Sequence, residues 1–133
     1  CLIVLALLLS TPINVTAGSG YKCKVKEIKS LKDNGEIGYD PLMAVITAGV
    51  PNREFIFDKG TGRTTGWLEN YDAYNAPKVI QQGSKSWPYK VLTIFSDSKR
   101  IHYLYIQEFI NKRSKPFMVV GDELIYSGLC EPY

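Results

Sequence analysis

The stretch PYKVLTIFS, Pro88 to Ser96, followed by Asp97-Ser98-Lys99 and then by RIHYLYIQEFI, Arg100 to Ile110, decides the fold. Both runs are rich in Val, Ile, Tyr and Phe, the side chains that suit a pleated, half-buried surface, and the three polar residues between them form a turn. Together they read as a β-hairpin. Lys115 to Val120 and Leu124 to Cys130 make a second such pair around Gly121-Asp122-Glu123. Glu54 to Asp58 and Arg63 to Leu68 make a third around Lys59-Gly60-Thr61-Gly62, a glycine-containing loop of hairpin length. From Tyr21 to Lys29 the residues Cys23 and Val25 alternate with Lys22, Lys24 and Lys26, the period of two of a strand with one wet face. Asn34-Gly35 then marks a turn. Glu69 to Trp87 is polar, aromatic and turn-rich, a long surface loop with room for a short strand at Lys78 to Gln81. Only Pro41 to Ala48 reads as helix, with Asp40 as cap, Pro41 at the first helical position and Gly49 at the end. The expectation is a mostly β chain: a small antiparallel meander barrel or rolled sheet of six to eight strands, with a short helix near residues 41–48.

Upstream of this pattern, Leu2 to Leu9 is an unbroken apolar run, followed by Ser10, Thr11, Pro12 and then Val15-Thr16-Ala17 before Gly18. An apolar core followed by small residues is the layout of a secretory signal, cut after Ala17. Residues 1–17 are therefore expected to be an N-terminally incomplete signal peptide, and residues 18–133 a single β domain. The run is too short for a membrane span, which needs about 20 apolar residues, so no transmembrane anchor is expected. Cys1 precedes the apolar run, whereas a lipidated cysteine would follow it. That leaves Cys23 and Cys130 near the two ends of the domain, an even number for an oxidising compartment, and the simplest arithmetic joins them. In the chain-entropy account, closing a loop of roughly 100 residues is worth about 4.7 kcal/mol.

With 16 basic and 13 acidic residues the net charge is +3, too small a surplus to indicate nucleic acid. The basic stripe Lys22, Lys24, Lys26 puts ammonium groups about 6.6 Å apart on one strand face. It reads as a solvated face or as lysine protection of a sheet edge. Catalytic signatures are scarce. His102 is the only imidazole, no His or Cys cluster has metal-ligand spacing, and no G-x-S-x-G elbow marks a nucleophile. Gly60, Gly62 and Gly66 miss the dinucleotide fingerprint by one residue and sit in a hairpin rather than at a strand-to-helix turn. No cofactor or metal is expected and no enzymatic activity, with a hydrolase using His102 as the third-ranked reading after the two binding functions given below.

Along the run from Ile101 to Ile106 both faces are apolar: Ile101, Tyr103 and Tyr105 on one, His102, Leu104 and Ile106 on the other. Such a strand is buried on both sides or carries part of a ligand surface. Nine tyrosines and two tryptophans supply rings with polar tips, which suit sugars, lipids and peptide partners. The candidate binding residues are accordingly Trp87, Tyr89, Tyr103 and Tyr105, with Phe95 beside them.

Tyr21-Lys22-Cys23-Lys24-Val25, Phe55-Ile56-Phe57-Asp58-Lys59-Gly60-Thr61-Gly62-Arg63, Gln107-Glu108-Phe109, Lys115-Pro116-Phe117 and Ser127-Gly128-Leu129-Cys130 span nearly all of residues 18–133. In combination they resemble a group of small exported bacterial proteins of uncharacterised function. The resemblance implies compartment and a disulfide-closed β fold rather than an activity. In size and in its Tyr-x-Cys start the chain is also similar to periplasmic lysozyme inhibitors, although their inhibitory loop motif has no counterpart here. The expected function is a periplasmic or secreted binding module contacting a small apolar or glycan ligand, or an envelope or host protein. The alternative is a hydrolase inhibitor acting through the 69–87 loop.

Overall fold

A computed structural model describes residues 20–48 and 53–133; the expected leader, residues 1–17, and Gly49 lie outside the described residues. Among the described residues, nine strands and one helix follow in chain order. They are β1 (Gly20–Leu31), β2 (Ile37–Tyr39), α1 (Pro41–Thr47), β3 (Glu54–Asp58) and β4 (Thr64–Gly66), then β5 (Lys78–Gln81), β6 (Tyr89–Ile94), β7 (Ile101–Ile106), β8 (Lys115–Gly121) and β9 (Leu124–Pro132). All strands join one curled antiparallel sheet in the order β4-β3-β1-β9-β8-β7-β6-β5, with β2 pairing β1 off that path. The expected rolled sheet and short helix are what the chain forms. The three hairpins are β3–β4, β6–β7 and β8–β9.

Two local differences from the expected pattern have plain causes. The alternation of β1 breaks at a bulge between Val25 and Glu27, so Lys22, Lys24 and Lys26 are exposed as expected, but after them the phase changes and Ile28 follows Val25 as the next buried residue. Lys22 pairs with Glu54 at 3.2 Å. The second strand of the β3–β4 hairpin ends early because Gly66 adopts a left-handed φ of 108° and the Thr64 hydroxyl turns back to donate to the Leu68 carbonyl at 2.6 Å. Sequence reading also missed β2. It lies just past the Asn34-Gly35 turn, where Gly35 at φ 83° folds the chain back on β1.

The inner face is the core: Cys23, Val25, Phe55, Phe57, Tyr89, Val91, Leu104, Ile106, Phe117, Val119 and Cys130 are buried, and Met43 of α1 packs against them. Cys23 lies directly opposite Cys130 in the β1–β9 register, and the two form a disulfide with a sequence separation of 107. The curl is closed by side chains and not by a further ladder. Phe57 and Tyr89 pack ring to ring at 5.3 Å, the Tyr89 hydroxyl donates to the Lys59 carbonyl at 2.7 Å, and Gly62 lies so close to Val91 that an added Cβ would come within 2.8 Å. Asn70, fully buried, takes the place of a neighbouring strand for β4. Its side chain accepts from the Thr64 N–H at 2.7 Å and donates to the Gly62 carbonyl at 2.8 Å.

Asp40 caps α1 by accepting from the Met43 N–H at 2.9 Å, and Thr47 donates back to the Met43 carbonyl. No helix among the described residues is long and apolar enough to cross a membrane.

Candidate functional site

Strand register sorts the sequence-named aromatics onto different surfaces. Tyr89 faces Ile106 on the inner side, while Lys90 faces Tyr105 and Leu92 faces Tyr103 on the outer side. Tyr89 is fully buried, Tyr103 and Tyr105 are half-buried on the opposite face, and Trp87 is 61% exposed in the turn before β6. Only Tyr103 and Tyr105 share a surface. There they stand beside Val120 and Met118 of β8.

A different constellation forms where β6, β7, β8 and β9 end together. The inner-face row at this end runs Thr93, His102, Gly121, Leu124 across the four strands. Gly121 has no side chain, and even a Cβ there would meet nothing closer than 3.9 Å. The row therefore opens beside the imidazole into a cavity of about 300 Å³, of which His102 forms part of the wall. That volume is at the small end of the range for ligand sites.

Two turns furnish the cavity's rim. In the β6–β7 turn Lys99 adopts φ 58° and its N–H donates to the Phe95 carbonyl at 2.9 Å, leaving the Arg100 guanidinium 5.0 Å from the centre of the Phe95 ring. In the β8–β9 turn Asp122 adopts φ 52° and accepts from the Ile101 N–H at 3.1 Å, so the two turns are tied together. The aromatic wall consists of Phe95, Trp67 and Tyr126, the last two edge to face at 5.7 Å. Glu69, Asp122 and Glu123 also line the cavity, with Arg100 as its cation.

His102 is 7% exposed, and neither ring nitrogen has a hydrogen-bond partner. Burial pulls its pKa from 6.5 down to about 4, so the ring is neutral at pH 7, with one N–H and one lone pair. Thr93 Oγ1, on the adjacent strand, is also buried without a partner. Burial, and then the charge of Glu123, raise the pKa of the Tyr126 hydroxyl. Buried polar groups are normally paired; His102 and Thr93, directly opposite each other on β7 and β6, are both without partners, as are Gln81 Oε1 and Glu108 Oε1 away from this cavity. Among the described residues no group of three or more His, Cys, Asp or Glu could hold a metal ion.

The opposite end of the sheet is tied together by polar contacts. Lys59 and Glu108 form an ion pair at 2.8 Å, with the Glu108 side chain 7% exposed. Gly83 lies over the carboxyl group so closely that a Cβ would come within 2.6 Å of its carbon. Lys115 donates to the Glu108 and Ile110 carbonyls and ties the 107–114 loop to the same place. Burial, and then the Glu108 charge, push the Tyr21 hydroxyl up to about 12.

Of the cavity's residues, sequence reading singled out His102 and Phe95 but not Trp67, Gly121 or Tyr126. Counting inward positions back from Cys130 by twos would have put Tyr126 on the inner face. Nothing in the sequence places Gly121 opposite His102. No protein-family model matches the chain, and neither a curated protein nor a solved structure matches it.

Proposed function

We propose that the chain is an exported binding module that takes a small ligand into the cavity beside His102. The observation that carries this reading is a buried imidazole with both nitrogens unpartnered, set in the wall of a cavity that Trp67, Phe95 and Tyr126 also line. Leaving buried polar groups unmade costs about 1–3 kcal/mol each, which a bound ligand would recover. A ring whose pKa is held near 4 is a weak base at neutral pH, which favours binding over proton-transfer catalysis. Export is supported by the Cys23–Cys130 disulfide, since such bonds persist in oxidising compartments.

Native mass spectrometry of the chain purified from its exporting compartment tests this reading. A bound mass that is lost on denaturation, and that is absent from a Gly121→Val variant whose fold is intact, is the expected result. A bound mass unaffected by Gly121→Val would place the ligand elsewhere and overturn the assignment.

A second reading, inhibition of a hydrolase through the 69–87 loop, has one specific observation in its favour. The loop is held in shape before any partner arrives. Asp72 accepts from the Ser96 N–H at 2.6 Å, Asn75 donates to the Ile94 carbonyl at 2.9 Å, and Tyr74 at the tip is 86% exposed. Preorganised loops with exposed aromatics bind at low entropic cost. Under this reading Tyr74→Ala and loop shortening weaken binding to the target enzyme, while Gly121→Val leaves it unchanged.

A further inference from the structure

We infer that the ligand of the His102 cavity is a small organic cation, an alkylammonium or related group carrying N–H donors; this rests on the binding reading above. Three side chains of negative charge, Glu69, Asp122 and Glu123, line the cavity against one of positive charge, Arg100. An acidic surplus by itself would select nothing. Here it coincides with an imidazole more than nine-tenths buried and unpartnered at the same cavity.

The carboxylates and the ring faces favour the same chemistry. A neutral imidazole presents one lone pair, which an ammonium N–H can meet, and one N–H, which any ligand oxygen can meet, so the ring binds a polar group and the surrounding charge and ring faces set its sign. Ring faces attract cations through their quadrupole, and Arg100 over Phe95 shows a cation already seated on one of these rings. An anion would enter against three solvent-exposed carboxylates at the rim, set against one guanidinium. The volume of about 300 Å³ suits a headgroup with a short aliphatic stem rather than a chain of sugars.

The test is an NMR titration of the full chain with three probes at constant ionic strength: n-butylammonium chloride, sodium acetate and N-acetylglucosamine. The Trp67 indole N–H and the His102 ring are the reporters. The expected result is a saturable shift of both signals with n-butylammonium and none with acetate. Gly121→Val should abolish the shift while the Tyr103 and Tyr105 signals on the outer face stay in place. The double variant Glu69→Gln/Glu123→Gln should weaken binding about tenfold, as removal of two carboxylates from around a partly desolvated cation would.

If acetate or N-acetylglucosamine shifts these signals and n-butylammonium does not, the cation assignment is overturned and the cavity remains a binding site. If no probe shifts them, or if Gly121→Val leaves the response unchanged, the cavity reading falls together with the ligand class.

Discussion

His102 of β7 stands directly opposite Gly121 of β8, so the chain's only imidazole faces the one position in its row that has no side chain. Phe117 fills the corresponding position opposite Ile106, and Val119 fills it opposite Leu104. The inner face is therefore packed solid along two rows and open along the third. This contrast lets the same two strands serve as core at one end and as cavity wall at the other.

Protonation of His102 should destabilise the fold in acid. Burial holds its folded pKa near 4, below the ordinary 6.5, so the unfolded chain binds the proton more readily. The stabilising effect of the neutral ring is fully present above about pH 6.5 and is lost as pH falls towards 4, by about 3 kcal/mol in total. Glu69, Asp122, Glu123, Arg100 and Tyr126 line the same cavity and contribute their own charges. Urea midpoints between pH 4 and 8 should fall in that window for the native chain. The fall should be smaller for His102→Gln, and equal slopes would contradict it.

Reduction should cost a large part of the stability. Cys23 and Cys130 close a loop with a separation of 107, and the chain-entropy account gives about 4.7 kcal/mol for a loop of roughly 100 residues. Thermal unfolding of the Cys23→Ala/Cys130→Ala variant against the oxidised chain measures this. A loss below about 1 kcal/mol would mean that β1 and β9 stay paired through the ladder alone.

Removing Lys59 should be worse than removing both members of its pair. Lys59→Met leaves the Glu108 carboxyl, 7% exposed, without its partner, a change worth about 3 kcal/mol for a buried pair. The double variant Lys59→Met/Glu108→Leu replaces the pair by apolar groups and should regain most of that loss. Chemical denaturation of the native chain, both single variants and the double variant closes the cycle and isolates the coupling.

Asn70→Ala should open the β4 edge. It strips the Thr64 N–H and the Gly62 carbonyl of their partners in a fully buried setting, at about 1–3 kcal/mol for each group left unmade. Hydrogen exchange at the Thr64 amide should accelerate well beyond that of Val91 in the central part of the sheet. Equal protection at both amides would show that Asn70 does not support the edge.

Much of this architecture can be read along the chain. Strand residues with a period of two, punctuated by Asp97-Ser98-Lys99, Gly121-Asp122-Glu123 and Lys59-Gly60-Thr61-Gly62, identify three hairpins because hairpin pairing is local and turn chemistry sets its register. The helix was legible from Asp40-Pro41, since capping needs only neighbouring residues. The pairing of Cys23 with Cys130 was legible by count alone. The bulge after Val25, the short strand β2 and the role of Asn70 were not, because each depends on what a distant segment leaves unpaired.

The site divides in the same way. Its chemical parts, an isolated imidazole and a supply of aromatic rings, are properties of composition, and sequence reading chose Trp87, Tyr89, Tyr103 and Tyr105 among the rings. Which rings share a surface depends on the face each strand presents. Tyr89 and Tyr105 lie on opposite sides of one hairpin because Tyr89 pairs with Ile106 and Lys90 pairs with Tyr105. By itself, then, the sequence determined the β class, the hairpins, the capped helix and the end-to-end cysteine pair, all of which follow from short-range periodicity and counting. Only the tertiary structure decided that Gly121 would meet His102 and that Trp67, Phe95 and Tyr126 would gather around them. A cavity is the space left where packed elements fail to fill one another, and the residues lining it are set by long-range register.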